Sequence, residues 1–104
     1  MAIATPQESV YARHIYHLYT IRFADRERLQ SKLQNTGIAC DVYYPCPPHL
    51  AEPCRRLGYQ SGDFPVAELA SRETLSIPLY PEMKLAQIHF VLETIQQTLE
   101  KEKI

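Results

Sequence analysis

The chain has 104 residues, 45% of them apolar and 22% charged, with a formal charge of −1. This length suits one domain that can bury a core without metals or disulfides. The near-neutral charge gives no electrostatic basis for a nucleic-acid surface, and no apolar run approaches the roughly 20 residues of a membrane span. The start lacks signal-peptide features and the three cysteines are an odd number. We therefore expect reduced thiols and a cytoplasmic location.

The first half of the chain predicts two strands separated by a helix. Residues 1–10 are mostly small and polar and are expected to form a loose end. Residues 14–23 are rich in aromatic and β-branched side chains, which is typical of a strand. The helix should begin after Asp25, its expected N-cap, and end near Gly37. Residues 38–44 then predict a second strand that stops at a proline.

The second half predicts a helix, a brief strand and a long helix after a proline-broken loop. The helix over 64–75 should be capped by Asp63 and carry a proline in its first turn. Residues 75–81 lie between helical patterns and predict a short extended piece. From residue 83 to about 101, apolar residues recur at steps of three and four, which predicts a helix with one core-facing stripe. The stripe comprises Leu85, Ile88, Leu92, Ile95 and Leu99.

This order of elements predicts an α+β domain in which helices pack against a small sheet of about three strands. Helices on one face would leave the other face of the sheet uncovered. A second domain or a second subunit could cover it.

Metal-ligand side chains occur within fifteen residues at Cys40, Cys46, His49 and Cys54. Their spacing lacks a C-x-x-C pair and suits a structural zinc site poorly. Separate, partly buried thiols are the simpler interpretation. A cysteine nucleophile with a histidine base is an alternative with equally little local support.

The stretch VYYPCPPHL is the strongest candidate for a binding loop. At the end of a strand, Tyr43 and Tyr44 should point to opposite faces, so that one packs inward and the other faces a cleft. The three prolines stiffen the backbone that follows. His49 lies on this loop, where binding groups collect, and we expect it to contact ligand rather than stabilise the fold. A stiff crossover without a ligand is the alternative.

Four phrases in order, YHLYTIR, VYYPCPPHL, LGYQSGDFPVAE and LSIPLYPEM, carry a family resemblance. From about residue 11 to 97 the chain resembles the C-terminal small domain of the DegT/DnrJ/StrS family of pyridoxal-phosphate-dependent nucleotide-sugar aminotransferases. The resemblance implies a mostly antiparallel sheet, as in the C-terminal domain of aspartate-aminotransferase-like enzymes. It also implies amino transfer to a keto-sugar nucleotide by the full-length enzyme, with Tyr43, Tyr44 and His49 beside the sugar.

The family's cofactor-binding lysine belongs to a large domain that this sequence does not contain. The lysines present have no cofactor-like setting: Lys32, Lys84, Lys101 and Lys103. We therefore expect a chain that is inactive alone and holds no cofactor by itself.

Expected partners are a large-domain chain or a second copy, with weak binding of a nucleotide sugar at most and no nucleic acid or membrane. A stand-alone binding or assembly module that reuses the fold is one alternative. An unrelated activity of the cysteine and histidine residues is the other.

Overall fold

The computed structural model describes residues 3–100. Its helices and strands are β1 (Tyr19–Arg22), α1 (Arg26–Asn35), α2 (Pro65–Glu73), β2 (Thr74–Ile77) and α3 (Leu85–Glu100). Two short 3-10 helices, Pro48–Leu50 and Glu52–Leu57, lie between α1 and α2. The predicted α+β class is confirmed. No helix within residues 3–100 is long and apolar enough to cross a membrane.

The sheet has two strands extended by one backbone bridge on each side. β1 and β2 pair antiparallel. Ser76 of β2 exchanges hydrogen bonds with Asp41, at 2.7 Å from the Ser76 N–H and 3.1 Å from the Asp41 N–H. Arg22 of β1 exchanges two with Ala4, at 2.9 and 3.0 Å. Within the segment expected to form a loose end, Ala4 pairs with β1.

Both strands predicted in the first half are shorter than expected. The strand predicted over 14–23 spans Tyr19–Arg22, because β2 offers only four residues to pair with and Pro78 follows it without an N–H. The strand predicted over 38–44 shrinks to the single bridge at Asp41. An alternating pattern becomes a strand only where a neighbouring backbone can take up its hydrogen bonds.

The hydrophobic core lies between the sheet and the faces of α1 and α3. Its fully buried side chains are Phe23, Ile21, Leu29, Leu33 and Leu75. The pair from α1 lies on one face of the helix, because residues four apart share a face. Among the described residues, the core cluster draws no member from positions 43–74.

The apolar stripe predicted for α3 is partly wrong. Ile95 is buried, but Leu92 is 52% exposed and Leu85 is 69% exposed. The buried face instead carries Val91 with two threonines, at 94 and 98. Each threonine hydroxyl donates a 2.9 Å hydrogen bond to the carbonyl four residues earlier. Because its hydroxyl is hydrogen-bonded in this way, each threonine can be buried in the core. Leu85 and Leu92 remain exposed to solvent on the surface of α3.

Candidate functional site

An open cavity of about 270 Å³ lies between residues 17–19, 39–43 and 76–80. Hydrogen-bonding side chains on its walls are His17, Asp41, Tyr43, Ser76 and Tyr80. Apolar walls with a few polar groups are the usual lining of a small-molecule site, and the polar groups fix the ligand's orientation. The cavity can therefore bind a small molecule that has polar groups on one side.

Tyr43 lines this cavity and a second one, of about 220 Å³. Tyr44 lines only the second cavity of the two. The two tyrosine rings contact each other edge to face, with centroids 5.7 Å apart. Tyr43 is 44% and Tyr44 73% exposed. The expectation that they point to opposite faces is wrong, because the backbone leaves the sheet after Asp41 and strand alternation no longer applies. Both rings remain accessible to a ligand.

His49 lies apart from these tyrosine-lined cavities and lines neither of them. Its side chain is only 7% exposed, and its Nε2 lies 3.2 Å from Oε2 of Glu68. The ring packs edge-on against Phe64, with centroids 4.7 Å apart, and Tyr59 lies next to both. We expected His49 to face a ligand, whereas the structure shows it buried and in contact with Glu68.

Glu68 on α2 is the polar residue that sequence reasoning missed. Its Oε1 accepts hydrogen bonds from the backbone N–H of Gly62 at 2.7 Å and from the hydroxyl of Ser61 at 3.2 Å. Its Oε2 accepts from the N–H of Phe64 at 3.0 Å and faces His49. The carboxylate therefore links the stretch just before α2 to His49, nineteen residues earlier in the chain.

These hydrogen bonds lower the pKa of Glu68. The bond from the Gly62 N–H contributes most; burial opposes it, and the bonds from Phe64, Ser61 and His49 add to the lowering. An ionised carboxylate only accepts hydrogen bonds, so Nε2 of His49 carries the proton of the bond between them.

A local signal for Glu68 existed in the sequence. An acidic side chain near the start of a helix often reaches back to the N–H groups just before it. We assigned the cap to Asp63, but the structure has no side-chain cap hydrogen bond at the N-cap, Phe64. Asp63 instead accepts a 2.7 Å hydrogen bond from the N–H of Gln60, within the turn.

The structure does not bring the cysteines of residues 3–100 together with other ligand side chains as a metal site. All three are free thiols, and residues 3–100 contain no group of three or more histidine, cysteine or acidic side chains that could hold a metal. Burial, and secondarily the charge of Asp41, raises the pKa of the Cys40 thiol. A raised pKa disfavours the thiolate that a nucleophile or a metal ligand needs.

The described residues do not fit a covalently bound pyridoxal phosphate. Lys32 lies on α1 and Lys84 is exposed just before α3. Neither lines the cavities beside Tyr43. Lys101 and Lys103 lie outside the described residues.

The sequence of this chain is similar to those of known proteins. Residues 1–96 match the model of the DegT/DnrJ/EryC1/StrS aminotransferase family. The chain is 44% identical over 91% of its length to a pleiotropic regulatory protein of Geobacillus stearothermophilus. It is 31% identical over 84% of its length to a dTDP-3-amino-3,4,6-trideoxy-alpha-D-glucose transaminase of Streptomyces venezuelae. It spans 26% and 23% of these two relatives, about a quarter of each.

Solved structures agree with the family match. The crystal structure of S. venezuelae DesV in complex with a ketimine intermediate superposes with a TM-score of 0.84 at 28% identity. The match covers 92% of this chain and 26% of DesV. Together with the sequence matches, it shows that the chain belongs to the DegT/DnrJ/EryC1/StrS aminotransferase family.

Proposed function

We propose that this chain is the C-terminal small domain of a pyridoxal-phosphate-dependent nucleotide-sugar aminotransferase. The main support for the proposal is the match of 92% of the chain to 26% of DesV, whose structure contains a ketimine intermediate, at a TM-score of 0.84. The domain contributes binding surface, and the amino-transfer chemistry belongs to the cofactor and to the portion of the relatives that this chain does not span. Alone, the chain is inactive.

Tyr43 and Tyr44 are the proposed sugar-contacting residues. Their exposed rings offer flat surfaces for a sugar ring, and each phenol can donate and accept a hydrogen bond. The mutual contact of the rings restricts each of them. His49 holds the same loop in place through its contact with Glu68, so its contribution to the sugar site is indirect.

The proposed partner is the cofactor-binding portion of such an enzyme, in the same or another chain. Large apolar side chains of the segment before β1 are almost fully exposed, including Val10, Tyr11 and Ile15. Several large apolar side chains exposed in one segment favour an interface there. Self-association through the same surface is the competing arrangement, and light scattering of the isolated chain separates it from a monomer that awaits its partner.

A graft tests the proposed function. Residues 3–100 replace the corresponding quarter of the S. venezuelae transaminase, and amino transfer to its nucleotide sugar is measured. We expect the graft to be active and Tyr43→Phe to weaken substrate binding. Tyr59→Phe is the matched control, because Tyr59 is similarly exposed, at 47%, but lines neither cavity beside Tyr43. A folded graft that binds cofactor but has no activity overturns the proposal.

The cofactor part of the proposal is tested on the isolated chain. The protein is mixed with pyridoxal phosphate, the imine absorbance is recorded, and borohydride reduction traps any adduct. We expect no stoichiometric labelling, because neither Lys32 nor Lys84 lines a cavity beside Tyr43 that could hold the cofactor. Stoichiometric labelling of one lysine at low cofactor concentration contradicts this expectation.

A further inference from the structure

The loop region, defined as residues 43–64, has a polar centre. None of its apolar side chains belongs to the core cluster of the described residues. Its buried positions are Pro47 and His49, and Glu68 lies buried just beyond it on α2. The buried contacts of the region are the hydrogen bonds of this carboxylate and the ring contacts of His49 with Tyr59 and Phe64.

The Glu68 carboxylate joins three segments, of which only the first is distant from it in sequence. One is the first 3-10 helix, through His49, nineteen residues away. The second is the turn at Ser61 and Gly62, and the third is the start of α2 at Phe64. Removing the carboxylate would release all three segments at once.

We propose that Glu68 is a positioning residue for the proposed sugar site, and that it acts through His49 on the loop that carries Tyr43 and Tyr44. This inference rests on the proposed function. It adds to that function the residue that sets the position of the sugar-contacting tyrosines.

The two tyrosines lie between two fixed points of the backbone. Before them, Asp41 is fixed by its two hydrogen bonds to Ser76. After them, His49 is fixed by Glu68. If the second point is released, the tyrosines are held from one side only.

The chain between Tyr44 and His49 is stiff enough to transmit the position of His49. Three of its four residues are prolines, whose rings fix φ. The 3-10 helix that contains His49 is closed by hydrogen bonds from Leu50 to Pro47, at 3.0 Å, and from Ala51 to Pro48, at 3.2 Å. A shift of His49 therefore moves the tyrosines rather than being absorbed by a flexible linker.

Glutamine cannot replace Glu68 in this arrangement. Both carboxylate oxygens face N–H or O–H donors, so the site requires acceptors on both atoms. A glutamine amide would direct its NH₂ group at one of these donors. Glu68→Gln thus removes the anchor with little change in side-chain volume.

Hydrogen exchange and fluorine NMR of this chain test the anchor directly. In Glu68→Gln we expect the amides of Gly62, Phe64 and Leu50 to exchange at least about ten-fold faster, while the core amide of Ile38 is unchanged. In protein labelled with fluorotyrosine, the Tyr43 and Tyr44 signals, assigned by single Tyr→Phe variants, should shift or broaden. Glu73→Gln is the matched control on the same helix, where the carboxylate pairs with Arg22 instead.

His49 variants separate positioning from general stabilisation. His49→Gln keeps an N–H donor close to the place of Nε2 and should retain most of the native exchange and tyrosine signals. His49→Leu should reproduce Glu68→Gln. Equal acceleration of loop and core amides, or unchanged tyrosine signals in Glu68→Gln, overturns the positioning role whether or not the graft is active.

The graft then links the anchor to the sugar site. Glu68→Gln should raise KM for the nucleotide sugar at least about ten-fold with a smaller change in kcat, and Glu73→Gln should not. An active graft whose KM is unchanged overturns the inference but leaves the proposed function standing. An unmodified graft that folds and binds cofactor but is inactive overturns the proposed function, and the measurements on the isolated chain still decide whether Glu68 sets the tyrosine positions.

Discussion

Two regions of this domain are held together by different forces. The apolar region, made of β1, β2, α1 and α3, buries its aliphatic and aromatic side chains in one cluster. The loop region instead has a buried histidine, His49, which contacts the buried carboxylate of Glu68 on α2. Apolar burial is non-directional, whereas the hydrogen bonds of Glu68 depend on angle and on charge. Changes in the first region should therefore cost stability, and changes in the second should first displace the loop.

The largest effect should come from a cavity in the apolar region. Leu33 is fully buried on α1, so Leu33→Ala should lower the free energy of unfolding by about 2–5 kcal/mol. Leu92→Ala is the matched control, because Leu92 is half exposed on α3 and its truncation should cost less than about 1 kcal/mol. Urea unfolding of both variants measures the difference. Equal costs would mean that the leucine stripe of α3 is covered, as the sequence pattern predicted.

Helices could be predicted from the sequence because their signals are local. Spacings of three and four, an early proline in α2 and Gly37 after α1 placed all three helices to within a few residues. The exposure of Leu92 was not visible, since the same spacing fits a core stripe and a stripe that awaits a partner. Strand lengths were overestimated because pairing depends on how much backbone the partner strand supplies.

The candidate site could be predicted only in part, for a related reason. A proline-rich loop with two tyrosines is visible in the sequence, and the structure places both tyrosines on open cavities. The burial of His49 depends on Glu68, nineteen residues later, and no spacing rule connects the two. Contacts of that range are set by the tertiary fold.

Breaking the polar centre should have the next largest effect. His49→Ala leaves the Glu68 carboxylate without one of its donors in a buried place and should cost about 1–3 kcal/mol. His49→Gln should cost less, because it can still donate. The free energy of unfolding from urea titrations compares the two variants. If His49→Ala is as stable as the unmodified chain, the loop region does not depend on this pair.

Acid should loosen the loop region before the apolar region. The pKa of Glu68 is lowered in the folded chain, so the ionised carboxylate contributes stability that is fully present above its unfolded pKa of about 4.3 and lost as the pH falls through the lower folded value. His49 is the titratable group in contact with it, and Tyr59 in turn contacts His49. Exchange of the Gly62 and Phe64 amides against pH, below about pH 4.3, measures the effect.

Glu68→Gln is the control for this acid response. The variant lacks the titrating carboxylate, so its loop amides should already exchange fast and should show no further step in that pH range. If the unmodified chain and the variant have the same pH profile, another group is responsible.

The smallest effect on stability should accompany a clear effect on binding, at Tyr43. Its ring is partly exposed and its hydroxyl has no hydrogen-bond partner among residues 3–100. Tyr43→Phe removes only that hydroxyl and should change the free energy of unfolding by less than about 0.5 kcal/mol. In the graft, the same change should raise KM for the nucleotide sugar. The reason is that a hydroxyl that contacts substrate but not protein contributes to substrate binding and not to folding. Urea unfolding and steady-state kinetics on the same preparations decide the matter. A loss of stability with unchanged KM would place Tyr43 among the residues that stabilise the fold. Asp41, rather than the tyrosines, would then mark the boundary between the two regions.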